Sequence, residues 1–310
     1  MKRILVLVLF SCSLTVGRAQ QLPHYSNFVY NYMQYNPAVV GTAPCLDMKM
    51  GFRKQWTGIP NSPQTIFANV HGKIGGKKKT SNFHGLGAMI ENDEAGPFAY
   101  SSLHLLYAYH MRLTGKYTLS AGLGLGFSQF RINYSDMLLE DQANDPVIVG
   151  AVNDFRFPMI NFGLWLYRDD RFYGISMRSI SAGSVEGIQG DGKLQTHWTF
   201  ANGYAVGLGD DLTFKPALLL NYVAQSKPSL EGQAMMDYKE KLALGIGARS
   251  GHGFSALLKV SILKYVTLAY AFDITANKLR YDGKNAHEII IGVRACKSAD
   301  PLHVPCAAYD

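Results

Sequence analysis

The chain has 310 residues, a formal net charge of +7, and 17% charged against 47% hydrophobic residues, with 31 glycines and 18 tyrosines. That charge is too mild for a nucleic-acid surface, and so few charges with so much Gly and Tyr depart from an ordinary soluble domain. Beyond the N-terminus no stretch reaches the roughly 18 apolar residues of a membrane helix, so an exported chain of this kind either stays soluble or inserts as a barrel.

The first element is a secretory signal peptide. Lys2 and Arg3 precede an apolar run from Ile4 to Val16, and Gly17-Arg18-Ala19 supplies small residues where cleavage is expected, after Ala19. Cys12 follows Leu9-Phe10-Ser11, a poor lipoprotein site because Phe10 is bulky. Cleavage removes Lys2, Arg3 and Arg18, taking the net charge from +7 to +4. Residues 20–46 then form a segment before the first strand. Its text from His24 to Gly41, HYSNFVYNYMQYNPAVVG, is apolar enough to pack in a lumen as a plug or at the periplasmic mouth.

From residue 47 to 296 the sequence reads as about fourteen strands of an all-β, antiparallel transmembrane barrel. They are Met48–Trp56, Thr65–His71, His84–Asn92, Ser101–Met111, Tyr117–Asn133, Pro158–Tyr167, Phe172–Ser179, Gln195–Val206, Leu212–Val223, Gly232–Tyr238, Leu242–Arg249, Phe254–Ile262, Val266–Asp273 and Glu288–Ala295. The fifth is the clearest. Tyr117, Leu119, Ala121, Leu123, Leu125 and Phe127 fall on one face, and Thr118, Ser120, Gly122, Gly124, Gly126 and Ser128 on the other. Its apolar face runs close to the roughly 9–11 residues that a tilted strand needs to cross a bilayer. In hydrocarbon every backbone polar group needs an internal partner, so such strands must close on themselves. Aromatics near strand ends (Trp56, Tyr107, Tyr109, Tyr117, Trp198, Tyr222) fit interface girdles. Short turns at Leu113–Lys116, Arg168–Asp170 and Gly207–Asp211 alternate with long loops at Tyr134–Asp154, Ile180–Leu194 and Thr275–His287, which assigns the former to the periplasm. Lys73–Asn82 is a longer, basic periplasmic turn, and residues 297–310 form a periplasmic tail.

The inward face carries Lys49, Arg53, Glu91, His104, Arg178, Lys215, Arg249, Lys259, Asp273, Glu288 and Arg294. Its mixture of signs argues for a solvated or paired lumen and against a strongly selective pore. Cys45, Cys296 and Cys306 remain after export; a disulfide among them is expected, and spacing does not assign the pairing.

Candidate chemistry is sparse. Gly72-Lys73-Ile74-Gly75-Gly76-Lys77-Lys78-Lys79-Thr80 fails the spacing of a phosphate loop. Gly122-Leu123-Gly124-Leu125-Gly126 lies inside a strand and fails as a dinucleotide fingerprint. His104 and His110 share a face at a strand spacing of about 20 Å, too far for one metal. Ser102 beside His104 is the only local nucleophile–base pair, and no third group orients the His. No cofactor, no metal and no enzyme activity are expected. Asn92-Asp93-Glu94-Ala95-Gly96-Pro97-Phe98 reads as a turn.

Several short motifs occur in a fixed order: Tyr25-Ser26-Asn27, Asn36-Pro37-Ala38 with Gly41, Arg53 with Gln55 and Trp56, Gly85-Leu86-Gly87, and Asn92-Asp93 with Gly96. In this the chain resembles the PorP/SprF family of the type IX secretion system of Bacteroidetes, from the mature N-terminus to the last strand. Lys54 departs from the pattern, where a residue such as Asn is expected. The resemblance implies an outer-membrane subunit of the secretion and gliding machinery. Its implied partners are the outer-membrane lipid, periplasmic ring and peptidoglycan-linked components, and secreted cargo; it implies no nucleic acid. The expected partner contacts are Tyr25, Asn36, Pro37, Arg53, Gln55, Trp56, Lys77, Lys78, Lys79, Asn92, Asp93 and Gly96. The Lys73–Lys79 turn and the Tyr25–Gly41 segment are expected to face the periplasm. The alternative is a solute channel of porin or fatty-acid-transporter type.

Overall fold

A computed structural model describes residues 22–43, 45–75, 81–113, 116–133, 154–181, 195–224, 226–263, 265–276 and 285–295; the expected signal peptide, Lys77, Lys78, Lys79, Cys296 and Cys306 lie outside these. Cys45 is disulfide-bonded. The strands are β1 (Leu46–Lys54), β2 (Gln64–Ile74), β3 (Phe83–Ala95), β4 (Phe98–Arg112), β5 (Thr118–Ile132), β6 (Asp154–Arg168), β7 (Arg171–Ser181), β8 (His197–Tyr204), β9 (Val206–Gly207), β10 (Leu212–Val223), β11 (Ser229–Tyr238), β12 (Leu242–Arg249), β13 (Gly253–Leu263), β14 (Val266–Thr275) and β15 (Ala286–Ala295). Neighbours in sequence pair antiparallel, and β15 pairs back onto β1 from Leu46↔Ala295 to Lys54↔His287, so the sheet closes. The two-residue β9 continues β8. Both pair with β10, on either side of Pro216, which has no N–H to give to the ladder. The wall is therefore a closed barrel of fourteen strands.

Alternation sorts the wall as the sequence predicts. In β5, Thr118, Ser120 and Ser128 are buried, while Leu125 and Phe127 are exposed on the outside. In β4, Ser102, His104, Ala108 and His110 are buried, and Leu103, Leu105 and Tyr107 face outward. Ile246 of β12 is 72% and Leu105 66% exposed. A soluble protein that left such a belt bare around its circumference would aggregate; lipid is the solvent that suits it. Among the described residues no helix is long and apolar enough to cross a membrane.

Two boundaries differ from the sequence reading. The stretch Asn92–Phe98 is mostly strand: β3 runs to Ala95, β4 restarts at Phe98, and only Gly96-Pro97 turns, with Gly96 at φ +59°. Turn-forming side chains are tolerated there because these hairpin ends stand above the apolar belt. Gln55 and Trp56 lie beyond β1, Trp56 at φ +47° in the turn. The apolar alternation simply continues into that turn.

Residues 22–43 run inside the wall. They contain three single-turn 3-10 helices, Phe28–Tyr30, Tyr32–Gln34 and Pro37–Val39. Every described residue from Tyr25 to Ala43 is buried. The direction of travel corrects the expectation that the whole segment faces the short-turn mouth. Tyr25 and Ser26 sit near the long-loop ends of β3, β14 and β15, against Glu91, Asp273 and Glu288. Gly41 sits at the other end, with its N–H donated to Nδ1 of His71. The chain descends the lumen and only then begins β1.

Candidate functional site: the lumen and the segment inside it

The segment is held at its start by charge. Arg53 of β1 is 2% exposed. Its Nη2 donates to Oδ2 of Asp273 at 2.9 Å, and its Nε donates to Oγ of Ser26 at 2.8 Å and lies 3.6 Å from Oε2 of Glu288. Glu288 in turn accepts the backbone N–H of Ser26 at 2.6 Å and of Asn27 at 3.0 Å. Gln233 of β11 donates to the Ser26 carbonyl at 2.6 Å. The Tyr25 hydroxyl donates to Glu91 of β3, and Nε2 of His24 lies 3.0 Å from Glu231 of β11. A buried guanidinium is tolerable only when its charge is answered; here two strands and the segment answer the charge and the Nε and Nη2 donors, and Nη1 is left without a hydrogen-bond partner among the described residues. His252, in the turn after β12, is pushed down to about 4 by burial and by the nearby Arg249, so it is neutral at physiological pH.

The middle is aromatic and amide-bonded. Tyr32 packs edge-on to Phe172 at 4.9 Å, and Phe172 stacks on Trp165 at 4.5 Å. Lys49 lies over the Tyr30 ring at 4.6 Å, and Asn69 donates to Asn31 at 3.1 Å.

The lower half fits by shape. Oδ1 of Asn36 accepts the Ala38 N–H at 2.9 Å and so caps the last 3-10 helix, with Pro37 as its first residue. Nδ2 of Asn36 donates to the carbonyls of Leu164 and Ile175, both at 3.1 Å, on adjacent strands β6 and β7. The inward glycines make room for this. A Cβ on Gly163 would sit 1.9 Å from Oδ1 of Asn36, on Gly122 2.3 Å from the Ala38 nitrogen, and on Gly85 2.0 Å from the Val40 carbonyl oxygen. Ser120 donates to the Ala38 carbonyl and His110 contacts that of Val40 at 2.8 Å. His110 also stacks on Phe83 at 4.3 Å, which accounts for it as a packing residue.

These contacts regroup the residues singled out in the sequence. Inside the lumen Tyr25 and Arg53 lie at one end, and Asn36 and Pro37 at the other with Gly41, Gly85 and Gly122. Gln55, Trp56, Asn92, Asp93 and Gly96 lie instead around the long-loop rim, where Asp93 accepts from Thr65 at 2.6 Å and Asn92 from Ser101 at 2.7 Å. Ser102 and His104 share the inner face, but His104 meets Asn161 at 3.3 Å, with no carboxylate to orient it. Sequence reasoning missed Glu91, Asp273 and Glu288 as the segment's partners, naming them only as lumen residues. Pairing across the lumen carries no signal in one strand's pattern.

Two solved structures share the architecture. The toluene transporter TbuX of Ralstonia pickettii matches with a TM-score of 0.53 at 10% identity, over 85% of this chain and 93% of that one. The P. putida toluene transporter TodX matches with a TM-score of 0.50 at 10% identity, over 88% of this chain and 95% of that one. At that identity the likeness is one of fold. No curated protein matches the sequence. A family model described as type IX secretion system membrane protein PorP/SprF matches residues 17–293.

Proposed function

Because this outer-membrane, multi-pass β-barrel belongs to the PorP/SprF family of type IX secretion system membrane proteins, we propose that it serves that machinery as a docking subunit whose lumen is sealed by its own N-terminal segment. The observation that carries the reading is the lumen filling: a segment bonded to β3, β11 and β15 at one end and packed on β4, β5, β6 and β7 at the other leaves the wall, rims and loops as working surfaces. Loop lengths assign the ends. Short connections at 113–117, 169–170, 208–211 and 239–241 face the periplasm, and 133–153, 182–196 and 276–285 face outward. The basic turn containing Lys77, Lys78 and Lys79 then meets periplasmic ring and peptidoglycan-linked components, and cargo is engaged at the opposite rim.

Purification in mild detergent, with mass-spectrometric identification of what accompanies the barrel, tests this. Periplasmic machinery is expected in the eluate, with export of many proteins lost on deletion. Reversing the charges of Lys77, Lys78 and Lys79 is expected to weaken that retention. A barrel that purifies alone, supports normal secretion when deleted and conducts steadily in a planar bilayer would establish the solute-channel alternative instead.

A further inference from the structure

A cavity of about 340 Å³ opens at the outer rim between the turn after β1, the β3–β4 hairpin and the end of β5. That volume is in the range of small-molecule sites. Its floor is preformed. The Gly96 N–H donates to the Asn61 carbonyl at 2.9 Å, the Asn133 N–H to the Pro97 carbonyl at 2.7 Å, and the Gln55 N–H to the Pro63 carbonyl at 2.9 Å. Three chain segments are thereby tied together by main chain alone.

The lining chemistry is specific. Lys54 and Arg131 supply two cations. Nζ of Lys54 spends one donor on the Ser62 carbonyl at 3.0 Å. Arg131 forms no close ion pair among the described residues: Asp154, opposite it in the β5–β6 register, is hydrogen-bonded by Gln129 and Arg156 and feels the Arg131 charge only at longer range. The single carboxylate of the lining, Glu94, already accepts from Gln64 and Asn92, both at 3.1 Å. Ser62 is 4% exposed, yet its Oγ has no hydrogen-bond partner. A buried hydroxyl left unsatisfied costs stability unless something supplies a partner. The apolar part of the lining is confined to Pro97, Phe98 and Ala99.

Position decides the class of ligand. Lys54, Gln64, Glu94 and Arg131 all occupy outward positions of their strands. Lys54 is two residues beyond exposed Phe52, Gln64 two before exposed Ile66, and Arg131 four beyond exposed Phe127. At a strand rise of about 3.3 Å, reduced by tilt, that is roughly 5–10 Å above the apolar belt. Lipid headgroups occupy this layer. The closed wall offers no strand edge for an added peptide strand, and one ring with one proline gives no deep apolar anchor. Amides, a free hydroxyl and two cations instead suit a hydroxyl-rich ring bearing negative charge.

We propose that this rim cavity binds the acidic sugar headgroup of an outer-leaflet glycolipid. Arg131 and Lys54 take the anionic group, and Gln64 and Ser62 the ring hydroxyls; Phe98 lies on the inward register and stacks on Phe130. The site clamps the barrel's first five strands to the surrounding leaflet. The assignment rests on the outward orientation of the long loops and is independent of any docking partner.

The test uses the full-length, delipidated barrel in detergent micelles with Kdo2-lipid A as the probe, followed by native mass spectrometry. One tightly held copy is expected, with affinity falling at least tenfold in the Arg131→Gln/Lys54→Gln double variant and unchanged in Lys239→Gln at the opposite end. Heat-modified electrophoretic mobility verifies that each variant is folded. Equal affinity in wild type and double variant would overturn the proposal, as would displacement by an equal concentration of phosphatidylglycerol, which shares charge but has no sugar ring. Free glucuronate competing as well as the glycolipid would overturn the membrane assignment.

Discussion

The two ends of the N-terminal segment are fastened by different physics. At the outer end Ser26 and Asn27 are gripped by a buried guanidinium and two carboxylates, Arg53, Asp273 and Glu288. At the short-turn end the Asn36 side chain lies against Gly163, and the backbone of Ala38 and Val40 against Gly122 and Gly85. The first grip is strong but conditional, because each charge depends on the others staying in place. The second contributes less per contact and rests on close packing with neutral hydrogen bonds from Asn36 and Ser120. A segment tied this way should release from its charged end first.

The largest effect should come from breaking the charged grip. Arg53→Ala leaves buried Glu288 beside half-buried Asp273, and removing one partner of a buried pair costs about 3–5 kcal/mol. Chymotrypsin cleavage within residues 25–35 of the folded barrel should accelerate by orders of magnitude, and a planar bilayer should show new conductance. Combining Arg53→Ala with Asp273→Asn and Glu288→Gln should recover part of the protection, since the uncompensated charge is then gone. An unchanged cleavage rate in the single variant would mean that packing alone holds both ends. The steric end comes next. Gly85→Ala drives a Cβ against the Val40 carbonyl, an overpacking cost of about 1–3 kcal/mol. Gly72→Ala, whose Cβ would meet only the Leu46 side chain at 3.4 Å, is the matched control and should be neutral in a urea titration.

The sequence disclosed the wall far better than what the wall contains. Period-two sorting is imposed by lipid on one side and lumen on the other, so β5 and β12 declare their faces residue by residue. Gln55 and Trp56 were placed in a strand because alternation does not stop at the turn. Asn92 and Asp93 were placed in a turn because polar residues look like one when the strand rises above lipid. The segment from Tyr25 to Gly41 has no period, so its presence was legible and its direction was not. The glycines at 85, 122 and 163 read as small inward residues; only the close approach of Val40, Ala38 and Asn36 explains why no Cβ is tolerated. That Tyr25 meets Glu91 at one end of the lumen and Asn36 meets Leu164 and Ile175 at the other was invisible along the chain, because these partners lie far apart in sequence.

Asn36 offers a finer cut at the steric end. Asn36→Ala removes a cap and two donors and should cost about 1–2 kcal/mol in urea unfolding. Asn36→Asp keeps the cap acceptor but turns a carboxylate toward two carbonyls, and should be worse than the alanine. If Asp were the milder change, capping would outweigh the wall contacts and the contrast between the two ends would need redrawing.

The smallest effect belongs to the periplasmic rim, away from both grips. In the turn joining β6 and β7, Asp170 accepts from Arg168 and, at 3.0 Å, from Arg171. Hydrogen bonds from these guanidiniums hold its pKa below the usual carboxylate value. A lowered folded-state pKa adds stability that is complete above the unfolded value of about 3.9 and fades as pH falls through the folded one. The side chain is 34% exposed, so solvent screening keeps the contribution under about 1 kcal/mol. Between pH 5 and pH 7 Asp170→Asn should lower the urea midpoint slightly and by a constant amount, and the gap between variant and parent should narrow progressively as pH falls below about 3.9. Between pH 5 and pH 7 the Gly85→Ala deficit should likewise stay constant, because its clash carries no charge. A Gly85→Ala deficit that shrank across that range would mean that the steric end, too, leans on ionised groups.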